Sequence, residues 1–99
     1  MSHLILRVEA ERELQDGYDW YEERAPGVGS RFLDQVQRLL EEIQLAPLRY
    51  TCVRRDVRMA LVRRFPYAVF YRAIENSIVV YSVFQTSRDP NIWQSRIDD

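Results

Sequence analysis

The chain has no lysine, one cysteine and one histidine among its 99 residues, with only three glycines and four prolines. A single cysteine forbids an intrachain disulfide, and one histidine with one cysteine cannot furnish the ligands of a structural zinc. The lone histidine, His3, sits at the N-terminus, so no Ser/His/Asp or Cys/His constellation can form. A Gly-rich phosphate loop is also missing. Pro26-Gly27-Val28-Gly29 carries two glycines but joins two helical patterns, not a strand to a helix. No apolar run approaches the roughly 20 residues of a membrane span, and the start, Met-Ser-His-Leu-Ile-Leu-Arg-Val, is too short and too soon charged for a signal peptide. These absences point to a cytoplasmic protein without metal, cofactor or membrane contact.

Without lysine, all 14 basic residues are arginine, charged at any relevant pH and poorly suited to giving or taking a proton. The formal net charge of −1 conceals a strong polarity. From Glu9 to Glu23 there are seven acids against Arg12; from Arg49 to Arg72 there are seven arginines against Asp56. The first segment reads as the solvated face of a helix. The second is a basic rim that calls for a counter-charge, either phosphate or an acidic partner protein.

Leu4, Leu6 and Val8 alternate as in a short strand. Ala10, Leu14, Tyr18 and Tyr21 then form one helical stripe, placing a helix from about Glu9 to Arg24 with its acids outward. Ala25-Pro26-Gly27-Val28-Gly29 stops it. A second helix, capped near Ser30, carries Phe32, Val36, Leu39, Leu40 and Ile43 on one face and ends before Pro47. Four strand-like segments follow: Tyr50–Val53, Val57–Arg63, Tyr67–Arg72 and Ile78–Phe84, the last being apolar enough for the sheet's centre. Glu75-Asn76-Ser77 reads as a tight hairpin turn, and Asp89-Pro90 as the start of a short helix that folds Trp93 back. Cys52, within the first of these strands, is expected to be half-buried. The order predicts an α+β fold, β-α-α-β-β-β with one further strand, in which a helical hairpin packs on one face of a mainly antiparallel sheet. Residues 1–99 read as a single domain.

Strand parity puts Arg54, Arg58 and Arg64 on comparable faces, with Arg88 arriving from the end of the last strand. Several further residues fall into an ordered set: Ala10, Glu13-Leu14, Trp20-Tyr21, Pro26-Gly27-Val28-Gly29, Phe32, Pro47, Arg58, Arg63-Arg64-Phe65-Pro66-Tyr67, Tyr71, Ser87-Arg88-Asp89-Pro90, Trp93 and Arg96. Along nearly its whole length the chain thereby resembles the RelE/ParE superfamily of toxins from bacterial type II toxin–antitoxin modules. That resemblance implies the same architecture, a cognate antitoxin that wraps the helical hairpin and sheet, and a homodimeric or toxin–antitoxin hetero-oligomeric state.

The resemblance also divides by target. RelE-like members cut mRNA on the ribosome with lysines before the third strand, an arginine directly after the tyrosine matching Tyr67, an arginine matching Arg88 and a tyrosine six residues further on. Here there is no lysine, those positions hold Ala68 and Gln94, and Arg88 alone is retained. ParE-like members share the Arg-Phe-Pro-Tyr stretch and bind DNA gyrase, although a histidine is common where Gln85 stands. The expectation is therefore a ParE-like, plasmid-stabilisation type toxin that binds and is not an enzyme. Arg54, Arg58, Arg63, Arg64, Tyr67, Arg88 and Trp93 are its expected contacts to target or antitoxin. The alternatives are an mRNA endonuclease acting through Arg88, with ribosome and mRNA as partners, or an inactive toxin homologue.

Overall fold

The computed structural model describes residues 2–98. The elements run β1 (His3–Leu6), α1 (Val8–Arg24), α2 (Val28–Leu45), β2 (Thr51–Arg54), β3 (Val57–Leu61), β4 (Tyr67–Ile74), β5 (Ser77–Gln85) and α3 (Asn91–Asp98). The five strands form one sheet in the order β1-β5-β4-β3-β2. β1 pairs parallel with β5, because the α1–α2 hairpin, β2, β3 and β4 all intervene before the chain returns beside it, and the other three pairings are antiparallel. The protein is thus α+β.

Strand alternation sorts the side chains into two cores. Ala60, Val62, Tyr67, Val69 and Tyr71 face the helical hairpin and pack with Phe32, Val36, Leu39, Leu40 and Ile43 of α2 and Ala10 of α1. Val57, Ala68, Phe70 and Phe84 face the other way and are closed by Trp93 and Ile97 of α3. Helices therefore cover both faces, not one as expected: the terminal helix that brings Trp93 back lands on the side opposite the hairpin. The Trp93 ring stacks on Phe70 at 4.0 Å with 17° between planes. β4, not β5, is the central strand, and its first five residues are all buried. A register shift near Phe70 and Tyr71 changes which β5 residues face the hairpin, so Ile78 and Val80 share that core with Val83. Cys52 is exposed, contrary to expectation, because β2 is an edge strand with all but its last residue exposed.

The α1–α2 turn closes in a way that residue-local capping rules miss. Ser30 does not cap α2; the helix starts at Val28 behind Gly27, whose backbone is left-handed at φ 89. The cap comes from the preceding helix. The Glu22 carboxylate accepts from the backbone N–H of Gly27 at 3.1 Å and from that of Gly29 at 3.0 Å, placing negative charge at the positive end of α2. Gly29 is needed for the approach, since a Cβ there would lie 2.7 Å from the Tyr18 carbonyl oxygen and 2.9 Å from Glu22 Oε1. Gly29→Ala is accordingly expected to destabilise the protein by about 1–3 kcal/mol, the overpacking cost exceeding the helix propensity that alanine adds. A thermal melt checks this, and an unchanged or raised midpoint would contradict the packing described.

Candidate interaction site

One buried carboxylate ties the helices to the sheet beside the cleft that holds Arg88. Glu13 lies on the inner side of α1, three residues after the buried Ala10 and four before the buried Gly17. Its Oε1 accepts from Ser82 Oγ at 2.8 Å, from the Val83 backbone N–H at 3.2 Å and from Arg96 Nη1 at 2.8 Å. The Glu13 side chain is 11% exposed and that of Arg96 23%. β1 pairs with β5 only as far as Leu6 and Val80, so the outer edge of β5 past Val80 has no strand beside it. Glu13 fills that edge. The acids of α1 thus do not all form a solvated face: Glu13 and Glu22 turn inward, while Glu9, Glu11, Asp16, Asp19 and Glu23 are exposed. The helical spacing of Glu13 with Ala10 and Gly17 was the signal for this.

The adjoining cleft, about 160 Å³, is lined by Glu13, Asp16, Gly17, Trp20, Tyr67, Val83, Gln85 and Arg88. Arg88 is the only cation in this lining, and Asp16 is there with it. Tyr67 is buried against Phe32, with ring centroids 4.7 Å apart, and burial pushes its hydroxyl up from the ordinary tyrosine value. Trp20 is exposed at the rim; the Arg24 guanidinium lies 3.4 Å from its ring centroid. Ala68 points to the opposite face and is buried.

The remaining arginines do not form one patch. Arg58 faces the hairpin, and its Nη1 donates to the carbonyl oxygens of Tyr50 at 2.6 Å and Leu48 at 3.2 Å, pinning the segment between α2 and β2. Beside it the Tyr71 hydroxyl donates to the Pro47 carbonyl at 2.7 Å. Arg72 pairs with Asp56 at 2.5 Å and donates to the Tyr81 hydroxyl at 3.2 Å. Arg54 is half-buried on β2, whereas Arg63 and Arg64 are exposed after β3, where they meet Arg38 and Arg49 along a cavity of about 310 Å³. Of the seven residues expected at a binding surface, Arg58, Tyr67 and Trp93 are held by internal contacts. Arg88 lines the Glu13 cleft and also an apolar groove of about 220 Å³ on the α3 side, shared with Ala68, Phe84 and Trp93, whereas Arg63 and Arg64 lie in a separate cavity.

Among the described residues no cluster of His, Cys, Asp and Glu could hold a metal ion. No helix of the described residues is long and apolar enough to cross a membrane. The family model for the ParE toxin of type II toxin–antitoxin systems, parDE, matches residues 4–90. The chain belongs to the ParE toxin family. Its fold is similar to that of the chromosomal ParDE TA system from P. aeruginosa, at TM-score 0.64 and 19% identity over 86% of this chain and 96% of that one. It is likewise similar to the isolated E. coli RelE toxin, at TM-score 0.66 and 17% identity over 99% and 97% of the two chains. No curated protein sequence matches. Membership of the ParE family bears out the resemblance read from the Arg-Phe-Pro-Tyr and Arg-Asp-Pro stretches, and it implies an antitoxin partner.

Two measurements test this geometry. Glu13→Gln keeps the shape but removes the charge that Arg96 and two further donors share, and is expected to cost about 1–3 kcal/mol in urea unfolding. Adding Arg96→Met should then cost less than it does in the unsubstituted protein, because the two residues act as a pair; strict additivity would contradict the contact. Burial pushes the Tyr71 hydroxyl up to about 12, against the opposing pull of Arg58. The folded state therefore keeps a proton that the unfolded chain releases nearer 10, so this contribution is complete below that pH and is lost as pH rises toward 12. Tyr71→Phe should flatten, without abolishing, the alkaline fall in stability, since Tyr21, Tyr50 and Tyr67 shift in the same direction.

Proposed function

We propose that the chain is the toxin of a type II toxin–antitoxin module that acts by binding DNA gyrase in the cytoplasm, with residues 1–99 forming one toxin domain. A cognate antitoxin neutralises it. The observation that carries this reading is the charge of the cleft around Arg88. Arg88 shares the cleft with Asp16, and Glu13 is already paired with Arg96, so the lining has no surplus positive charge. Cleavage of RNA would need that surplus for the phosphorane, together with groups that take the 2′-OH proton and protonate the leaving oxygen. Tyr67 holds its proton more tightly than an ordinary tyrosine, and Gln85 brings no titratable group. Ala68, buried among Phe70, Phe84 and Trp93 where Arg88 also reaches, brings no cation. A surface that binds a protein target needs none of these chemical groups. In this reading Arg63, Arg64, Arg88 and Arg54 make the contacts, while Arg58, Tyr67 and Trp93 hold the surfaces that present them.

Purified protein added to gyrase and relaxed plasmid is expected to block supercoiling. Unchanged supercoiling at large molar excess would sink the proposal. Cleavage of mRNA in a translating extract, lost on Arg88→Ala, would replace it with the endonuclease. Expression without any growth defect would instead mark an inactive toxin homologue.

A further inference from the structure

Arg88 borders two hollows, and the second is unlike the first. On the α3 side a groove of about 220 Å³ has Ala68 in its floor between Phe70 and Phe84, with Met59 and Trp93 beside them. Strand pairing puts these side chains on one face of the sheet, since Met59 is opposite Phe70 and Ala68 is opposite Phe84. A small residue among large ones leaves a hollow in an otherwise close-packed layer. Trp93 is held to one side of it, because its ring is stacked on Phe70.

Arg88 is the only charged residue in this lining, and among the described residues its guanidinium has no hydrogen-bond or ion-pair partner. The neighbouring acids are placed elsewhere. Asp89 Oδ1 accepts from the Asn91 backbone N–H at 3.0 Å at the start of α3, and Glu13 and Asp16 line the other cleft. An anion approaching Arg88 from the cleft meets two carboxylates, whereas one approaching along the groove meets none.

The groove also limits what the anion can be. Besides Arg88 its only polar side chain is Thr86, whose hydroxyl already donates to the Pro66 carbonyl at 3.2 Å. A nucleotide would leave its phosphates with one cation and the edges of its base on an apolar floor. A peptide strand would find no backbone to pair with, because β4 lies between β3 and β5 with both of its edges taken. At about 220 Å³ the groove is smaller than the roughly 300–1,000 Å³ of pockets for drug-sized ligands, so its occupant is a smaller molecule. One apolar body with one anionic head matches both the rings and the single guanidinium.

We propose that the groove between α3 and the sheet is a binding site for a small monocarboxylate with an aromatic or short aliphatic body, which lies over Ala68 between Phe84 and Trp93 while its carboxylate pairs with Arg88. The site goes beyond the toxin reading and does not rest on it, because binding is measured on the chain alone, without gyrase or ribosome.

Cinnamate, cinnamyl alcohol and cinnamylamine share one apolar body and differ in the head group. The chain has two methionines, so labelling their methyl groups gives two NMR signals, and Met59→Leu identifies the one in the groove. Cinnamate is expected to shift the Met59 signal saturably, with cinnamyl alcohol about fivefold weaker or more and cinnamylamine weaker still. Arg88 is exposed, so Arg88→Glu should keep the thermal melt and invert the order, with cinnamylamine tightest and cinnamate weakest. Ala68→Leu, which fills the hollow, should abolish the shift with all three; if that variant does not fold, Arg88→Glu decides. No saturable shift with cinnamate, equal binding of the three compounds, or an order unchanged in Arg88→Glu would overturn the proposal. Binding that survives in a folded Ala68→Leu would place the ligand outside the groove and overturn it as well.

Discussion

The structure depends most on what happens where β1 stops. β1 pairs with β5 through Val80 and leaves the sheet after Leu6, while β5 runs on to Gln85. A strand edge left open there would expose the Val83 N–H, and Ser82, which is fully buried, would lack a partner for its hydroxyl. Glu13 meets both needs with one oxygen, and the charge that this brings inside is met by Arg96 from the helix on the opposite face. One side chain thus joins α1, β5 and α3. A buried carboxylate with three donors is costly to disturb, since loss of any partner leaves charge or a donor unmet in a poorly solvated place. The same carboxylate fixes the wall of the Arg88 cleft, so that what the cleft can bind follows from what holds the fold.

A second set of polar contacts works at the other end of the sheet. Arg58 and Tyr71 are directly opposed on β3 and β4, both facing the hairpin. Between them they satisfy the carbonyl oxygens of Pro47, Leu48 and Tyr50, in a stretch that leaves α2 and has no ladder of its own until β2 begins. An arginine in the middle of a basic run looks like a ligand-binding residue. Here its guanidinium is occupied by backbone, whereas Arg63 and Arg64 further along the run are exposed.

Much of the architecture was legible in the sequence because burial imposes periods. The stripe Phe32, Val36, Leu39, Leu40 and Ile43 specified the inner face of α2, and all five residues are buried. The alternation in Val57–Leu61 and Tyr67–Arg72 specified two strands with opposite faces. Long-range relations carried no such signature. That β1 joins β5 in parallel, that α3 crosses to the far face and that Glu22 caps the next helix in place of Ser30 all depend on which distant backbone groups are left unsatisfied. Parity alone put Arg54, Arg58, Arg64 and Arg88 together, but the turn after β3 carries Arg64 with a left-handed backbone, and Arg88 follows the end of β5, between the Glu13 cleft and the groove on the α3 side. Glu13 could have been found, because an acid three residues after a buried alanine and four before a buried glycine belongs to the inner face of the helix.

The charge polarity of the chain acquires a physical meaning from this arrangement. Five exposed acids lie along α1 against Arg12 and Arg24, whereas Arg31, Arg38, Arg49, Arg63 and Arg64 gather beside α2 against Asp34 and Glu42, so the two helices of the hairpin differ in the sign that predominates around them. Near-neutral total charge then coexists with a strong local field on each side. A nuclease would be expected to concentrate its positive field where its scissile phosphate binds. Here five arginines stand beside α2 against Asp34 and Glu42, while Arg88 shares its cleft with Asp16 and Glu13. The exposed arginines Arg63 and Arg64 therefore stand apart from the cleft that Glu13, Asp16 and Arg88 line, and the two places differ in charge because different elements supply them, α1 and β5 in one case and α2 with the β3–β4 connection in the other.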